Sequence, residues 1–317
     1  MYEFVRYSQE RAEEWNTFVG GSVNGTFLFD RRYMDYHADR FTDMSVMAYR
    51  QGRLRAVMPA NVVADTLYSH QGLTYGGLVT RQSTSTSAVC SLLRELNSYL
   101  RASGIKHVVY KAIPWIYHRY PSEEALYALH HICGARITVR HISSTIDLTM
   151  RPRLAESRRS GIRKAIPSHL TVEQTGPECL PDFWKVLTAN LQSKYDAHPV
   201  HNAGEMLLLM RRFPQSIRLY VVRHGDEIIG GTVVYVTDTV VHTQYISASA
   251  EGKRLGALDL LFDHLLRHNW GKARYFDFGK SSDGDGEALN APLIFQKEGF
   301  GGRGVCYDWY EWDTHEE

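Results

Sequence analysis

Apolar positions change period along the chain, and each change marks an element. Val89, Leu92, Leu93, Leu96 and Leu100 recur every three or four residues, predicting an amphipathic helix that Gly104 stops. Leu258, Leu261, Phe262, Leu265 and Leu266 repeat that spacing and predict a helix over 257–269. Trp184, Leu187 and Leu191 place another within 181–195, and Trp15, Phe18 and Val19 a short one within 10–19. Runs rich in β-branched and aromatic residues predict strands at 45–49 and 54–63, split by Gln51-Gly52, then at 66–69, 105–113 and 136–148. In the second half strands are expected at 217–222 and 227–236 around His224-Gly225-Asp226, and at 240–246, 274–278 and 305–312. Helices are expected at 122–133 and 287–297.

The second half thus repeats the element order of the first, although residue identity between the halves is slight. This predicts duplicated domains, 1–150 and 151–317, with the boundary near Met150-Arg151-Pro152. Each is expected to be α+β, a mixed and mostly antiparallel sheet flanked by helices.

Composition supports that count, since 317 residues with 44% hydrophobic content can bury two cores. A formal net charge of +1 excludes a protein that binds polyanions through its overall charge, so any nucleic-acid contact must be local. Cys90, Cys133, Cys179 and Cys306 lie far apart, which fits reduced thiols better than a zinc site or a disulfide framework. The N-terminus lacks a signal-peptide pattern and no run approaches the ~18 apolar residues of a membrane span, so a soluble cytoplasmic protein is expected.

Charge does concentrate locally. Arg151, Arg153, Arg158, Arg159, Arg163 and Lys164 crowd together against Glu156 alone. This is either a solvated helix face or an anion contact for a phosphorylated substrate, a donor or an RNA end, for which arginine offers a rigid donor fork.

Candidate chemistry gathers between Val240 and Trp312. The 240–246 strand carries polar groups, and strict alternation puts His242 and Gln244 on one face and Thr243 and Tyr245 on the other. Ser249 to Ala257 then enters a helix through glycines. Unpaired N–H groups and the helix dipole suit such a junction to pyrophosphate, aided by Lys253 and Arg254; alternatively the glycines only turn the chain. His198-Pro199-Val200-His201 follows Lys194-Tyr195-Asp196 in a loop, where polar residues have less structural reason to be. Asp277 ends a strand beside the Gly279–Gly286 loop, which contains Ser281 and either closes on an acceptor or is a solvated turn. His264 and His268 lack a third ligand, and Asp283 and Asp285 lack EF-hand spacing, so no metal is expected.

Hairpin, polar strand, glycine turn into a helix, strand, helix and Gly299-Phe300 before the final strand together resemble the GNAT acyltransferase fold, most strongly over 150–317. Two such domains in tandem, with the arginine-rich entry Ser157–Ala165, resemble the bacterial Fem-type branch, whose members add amino acids to peptidoglycan precursors. The resemblance implies attack by an amine on an activated acyl carbon, with a base and oxyanion donors. Imidazole titrates nearest neutrality, so His242 is the preferred base, beside Gln244 and His201; a packing role for His242 is the alternative. GNAT enzymes hold the coenzyme A pyrophosphate on a Gln/Arg-x-x-Gly-x-Gly/Ala loop. Lys253 to Leu258 aligns with it, departing at both ends, so Ser247, Lys253, Arg254, Leu255, Gly256 and Ala257 form the implied cofactor set. Phe295 stands where the family often has an acidic tyrosine. The remaining substrate contacts are expected from Arg158, Arg159, Arg163, Lys194, Tyr195, Tyr245, Asp277 and Ser281.

The expected reaction moves an acyl group from acyl-CoA to a small-molecule or peptide-like amine. The second domain would hold the donor, the cleft between domains the acceptor, and the first domain would only shape the acceptor site. The alternatives are aminoacyl-tRNA as donor, with tRNA as a partner, and a non-catalytic binding protein on a transferase scaffold.

Overall fold

The computed structural model describes residues 1–150, 153–195 and 198–314, without the side chains of Lys194 and Tyr195. Its contacts divide the chain into two units, Met1–Ile142 with Ser282–Ala288 and Cys306–Glu317, and Ser143–Ser281 with Leu289–Val305. The chain therefore leaves the first unit and later returns to it.

The first unit holds β1 (Glu3–Arg6), α1 (Ala12–Gly20), α2 (Arg31–Met34), β2 (Thr42–Asp43), β3 (Val46–Arg50) and β4 (Arg53–Met58). It continues with β5 (Asn61–Val63), β6 (Thr66–Tyr68), β7 (Val79–Thr80), α3 (Thr86–Ala102), β8 (His107–Lys111) and α4 (Glu124–Cys133), and β9 (Arg136–Asp147) leads out of it. The expected 54–63 strand is two strands, β4 and β5, with Pro59, which has no N–H to give a ladder, between them. Ser85 caps α3 by accepting from the Ala88 N–H, and the apolar stripe of α3 buries Leu92, Leu93, Leu96 and Leu100 among Val46, Ala56 and Val108.

The second unit holds α5 (Glu156–Ala165), β10 (Thr171–Thr175), α6 (Leu180–Tyr195), α7 (Ala203–Arg212), β11 (Ile217–His224), β12 (Glu227–Val236) and β13 (Val240–Ala248). After it come α8 (Ala250–Leu255), α9 (Ala257–Arg267), β14 (Tyr275–Lys280), the short pair β15 (Ser282–Asp283) and β16 (Ala288–Leu289), α10 (Ala291–Glu298) and β17 (Arg303–Asp313). Its sheet runs β10-β11-β12-β13-β14 and then the last residues of β9. Every pairing in it is antiparallel except β13 with β14. Phe262 of α9 packs against Phe276, Phe278 and Phe300, the aromatic centre of this core.

Three local readings change. The 249–257 segment is not an open loop: Ser249 accepts from the Gly252 N–H and starts α8, which Gly256 ends at φ 79°. Helix α7 was not anticipated, although Asn202 and Glu205 form a capping box ahead of Met206, Leu209 and Met210. The helix expected from 287 starts at Ala291, where Asn290 accepts from the Leu293 N–H.

Candidate active site

Parallel pairing of β13 and β14 covers Val240↔Tyr275, Val241↔Phe276 and His242↔Asp277, and there it stops. The last pair carries the chemistry. His242 Nδ1 lies 2.7 Å from Asp277 Oδ2, while Ser143 Oγ (2.5 Å) and Thr145 Oγ1 (2.7 Å), both on β9, donate to Asp277 Oδ1. Asp277 is wholly buried. Burial raises its pKa, but His242 and the two hydroxyls outweigh burial and hold the carboxyl below the usual carboxylate range. The carboxylate therefore accepts the Nδ1 proton, which leaves the lone pair of the neutral ring on Nε2. That nitrogen makes no hydrogen bond among the described residues, and the side chain keeps 11% of its surface exposed.

The backbone around the pair is shaped to fit it. The β14–β9 register shifts between Asp277 and Lys280, and Gly279 sits there at φ 75°. A Cβ at Gly279 would lie 3.2 Å from His242 Cε1, so both conformation and space call for glycine. Lys297 of α10 reaches back to this bulge, its Nζ donating to the carbonyls of Gly279 (2.8 Å) and Lys280 (2.7 Å). Burial pushes the Lys297 ammonium down to about 8, against the attraction of Asp277. Sequence reasoning missed this lysine; its signal was a cation within the short helix preceding Gly299-Phe300. Gly279→Ala is expected to destabilise the protein by roughly 1–2 kcal/mol through the positive φ and to turn the imidazole, measured as a lower urea midpoint together with lost turnover.

A bulge corrects the strand faces expected from alternation. Val234 pairs with Thr243 but Val233 pairs with Tyr245, leaving Gln244 as an extra residue. His242 faces Tyr235 and Tyr245 faces Val233, two residues apart on β12, so His242 and Tyr245 share a face. There the Tyr245 hydroxyl lies 2.6 Å from His201 Nδ1 and accepts from the His201 backbone N–H at 3.2 Å. Trp184 of α6 meets the Tyr245 ring edge-on at 5.0 Å, and burial pushes the phenol up to about 12. Ser247, further along β13, is buried and donates to the Val186 carbonyl at 3.4 Å.

Other expected residues lie elsewhere in this unit. Leu255 and Ala257 are buried core side chains. Lys253 points to Asn190, and Arg254 stands 3.6 Å from Glu251. Helix α5 lies against the first turn of α9: a Cβ on Gly256 would come within 2.6 Å of the Gly161 carbonyl oxygen. Arg158 pairs at 2.7 Å with Asp259 in that same turn. Backbone of α5 thus lies against the Gly256 turn, with a carboxylate beside it. Arg159 and Arg163 are exposed and pair with Glu156 at 2.9 and 2.5 Å. Ser281 is buried with its hydroxyl unpartnered, and Phe295 is 69% exposed. The side chains of Lys194 and Tyr195, and all of Arg151 and Asp196, lie outside the described residues. No group of three metal-ligating side chains occurs among the described residues.

Residues 150–287 match the model of the acetyltransferase (GNAT) domain. The fold is similar to that of FemX, with TM-score 0.69 at 11% identity over 98% of this chain and 97% of that one. The C-terminal domain of a putative lysylphosphatidylglycerol synthetase from Agrobacterium fabrum is similar at TM-score 0.60 and 13% identity, over 96% of this chain and 92% of that one. A tandem GNAT protein from the clavulanic acid biosynthesis pathway is similar at TM-score 0.53 and 12% identity, over 100% of both chains. No protein of curated function matches the sequence. The chain is a tandem GNAT-fold protein, and the domain in its second half makes it a transferase. Among the described residues no helix is long and apolar enough to cross a membrane.

Proposed function

We propose that the second unit transfers an acyl or aminoacyl group from an activated donor to an amine, with His242 as the base. The observation that carries this reading is the Asp277–His242 pair, whose unpartnered Nε2 lies where β13 and β14 stop pairing. The amine nitrogen attacks the acyl carbon and gives its proton to Nε2. Asp277 holds the ring in the required tautomer and stabilises the imidazolium that forms. The negative charge passes to the acyl oxygen and, as the intermediate collapses, leaves with the donor's leaving group. Backbone N–H groups near the Gln244 bulge are our candidates for the oxyanion contact.

GNAT domains generally take acyl-CoA donors. Here the packing of α5 on the Gly256 turn favours the other donor that the Fem-type resemblance implies, an aminoacyl ester such as aminoacyl-tRNA. Thermal unfolding with coenzyme A and with uncharged tRNA separates the two, because a ligand specific to the folded state raises the midpoint. Stabilisation by coenzyme A that disappears in Lys253→Ala/Arg254→Ala would return the donor to acyl-CoA. The non-catalytic reading is excluded by turnover with either donor and an amine acceptor.

Tyr245→Phe removes the hydroxyl held by His201 while keeping the ring against Trp184. It is expected to lower turnover about tenfold or more, with a thermal midpoint close to that of the parent protein. Parental turnover would place Tyr245 outside the site.

A further inference from the structure

The sheet of the second unit ends on an open edge. β10 is the terminal strand, paired with β11 from Thr171↔Arg223 to Thr175↔Leu219. Among the described residues no main-chain group of β10 bonds outside that ladder, so alternate residues turn their N–H and C=O groups outward. Little blunts this edge. β10 contains neither proline nor lysine, and its one charged residue, Glu173, is already paired with Arg223 at 2.6 Å.

A groove of about 530 Å³ runs beside the edge, between β10 and α9. Half-buried Leu170, Val172 and Leu260 give it an apolar floor, and one face of α9 supplies Asp263, His264, Arg267 and His268. An adjoining groove of about 470 Å³ shares Asp263 and Arg267 and adds Arg153, Arg159 and Arg163, so the lining holds four arginines against one aspartate. Arg159, Arg163 and Arg267 are 55%, 62% and 76% exposed. Their pairs with Glu156 and Asp263 are of the screened surface kind, which another carboxylate can replace.

We infer that this edge and groove dock an extended acidic segment of a partner protein, which adds to β10 as a further strand. An added strand sends every second side chain to the face of Leu170 and Val172, where apolar residues fill the groove. Carboxylates beyond its paired part meet the arginines. A second copy of this chain fits worse, because antiparallel pairing of two β10 strands about their centre sets Glu173 opposite Glu173. A nucleic acid would answer to the arginines but leave the β10 main chain and the apolar floor unused. The strands β11 and β12 stand between β10 and β13, so this surface is separate from the His242 site and independent of which donor it takes.

The test is fluorescence anisotropy of the full-length protein with a fluorescein-labelled peptide of alternating valine and threonine, carrying two glutamates at each end. Saturable binding is expected, and the same peptide with lysines in place of the glutamates should not bind. Arg163→Glu/Arg267→Glu should weaken binding by about tenfold or more at an unchanged thermal midpoint. N-methylation of every second peptide residue reads strand addition directly. Methylation of the set whose N–H groups face β10 should abolish binding, whereas methylation of the other set should leave it close to that of the parent peptide. Amide exchange at alternate residues of 171–175 should slow when the peptide is bound. No binding, equal binding of the lysine peptide, equal loss from both methylated sets or unchanged exchange in β10 overturns the inference. So does a dimer of the free protein whose formation slows exchange over 171–175, since the edge would then be the chain's own interface.

Discussion

Asp277→Asn is expected to lower the rate of amine acylation by about 10²–10⁴-fold while leaving the side-chain volume unchanged. The reason is hydrogen-bond polarity. Oδ1 accepts from both Ser143 and Thr145, so the amide of an asparagine must place its NH₂ where Oδ2 stood, facing His242. An NH₂ group cannot accept from Nδ1–H. The imidazole must switch tautomer, placing its proton on Nε2 and losing the lone pair that takes the amine proton. His242→Gln should match this loss, and the double variant should be no worse than either single one, because the two residues act as one unit. A single-turnover assay in which Asp277→Asn keeps more than about a tenth of the parental rate would remove the pair from the mechanism. Because its carboxyl sits below the usual range, Asp277 stays ionised throughout the neutral region. Its contribution to stability is lost only as pH falls below the ordinary carboxylate value and through the lower folded one.

Acidification should unfold the first unit before that point is reached. Burial pushes His118 down to about 4. His70 falls to about 3, driven by burial and then by the neighbouring charges of His37, Lys111 and Arg31. Both folded values lie below the unfolded value near 6.5, so the unfolded chain binds the extra protons and stability is lost as pH falls. The loss starts near pH 6.5 and accumulates until about 4 for His118 and about 3 for His70. At 1.36 kcal/mol per pKa unit the two sum to several kcal/mol, a large part of the ~5–15 kcal/mol that keeps a domain folded. Urea midpoints taken between about pH 7 and 4.5 should fall steeply. His70→Asn should flatten the curve, since asparagine tolerates the left-handed backbone at φ 74° and does not titrate. A flat curve for the parent protein would mean that water reaches both rings.

Much of this architecture was legible in the chain. The 3.6-residue stripe found α3 and α9, and the turns Gln51-Gly52 and His224-Gly225-Asp226 found the hairpins, because these are local rules. His242 and Tyr245 stood out as polar residues in a strand, Asp277 at a strand end and His201 in a loop. What the sequence concealed was register. One extra residue at Gln244 moves Tyr245 to the face of His242, and no propensity at that position announces a bulge. The burial of Lys297 depends on the kink at Gly279, far away in sequence, so its helix read as ordinary. The packing of α5, some ninety-five residues earlier, against the glycine turn was hidden for a related reason, since the turn's own residues do not announce it.

The return of the chain to its first unit bears on how the protein is born. β17 pairs antiparallel with β8, Trp309 opposite Lys111 and Trp312 opposite Val108, and the Trp312 indole donates to Asn97 Oδ1 at 3.0 Å. β8 leaves the ribosome some two hundred residues before its neighbour exists, and it waits with one edge open, the kind of edge other chains add to. The first unit cannot close cotranslationally in the order of its sequence. Its completion belongs to the moments after residue 313 emerges, so any arrest of synthesis in the second half releases a chain in which β8 pairs with β6 but lacks β17 on its other edge.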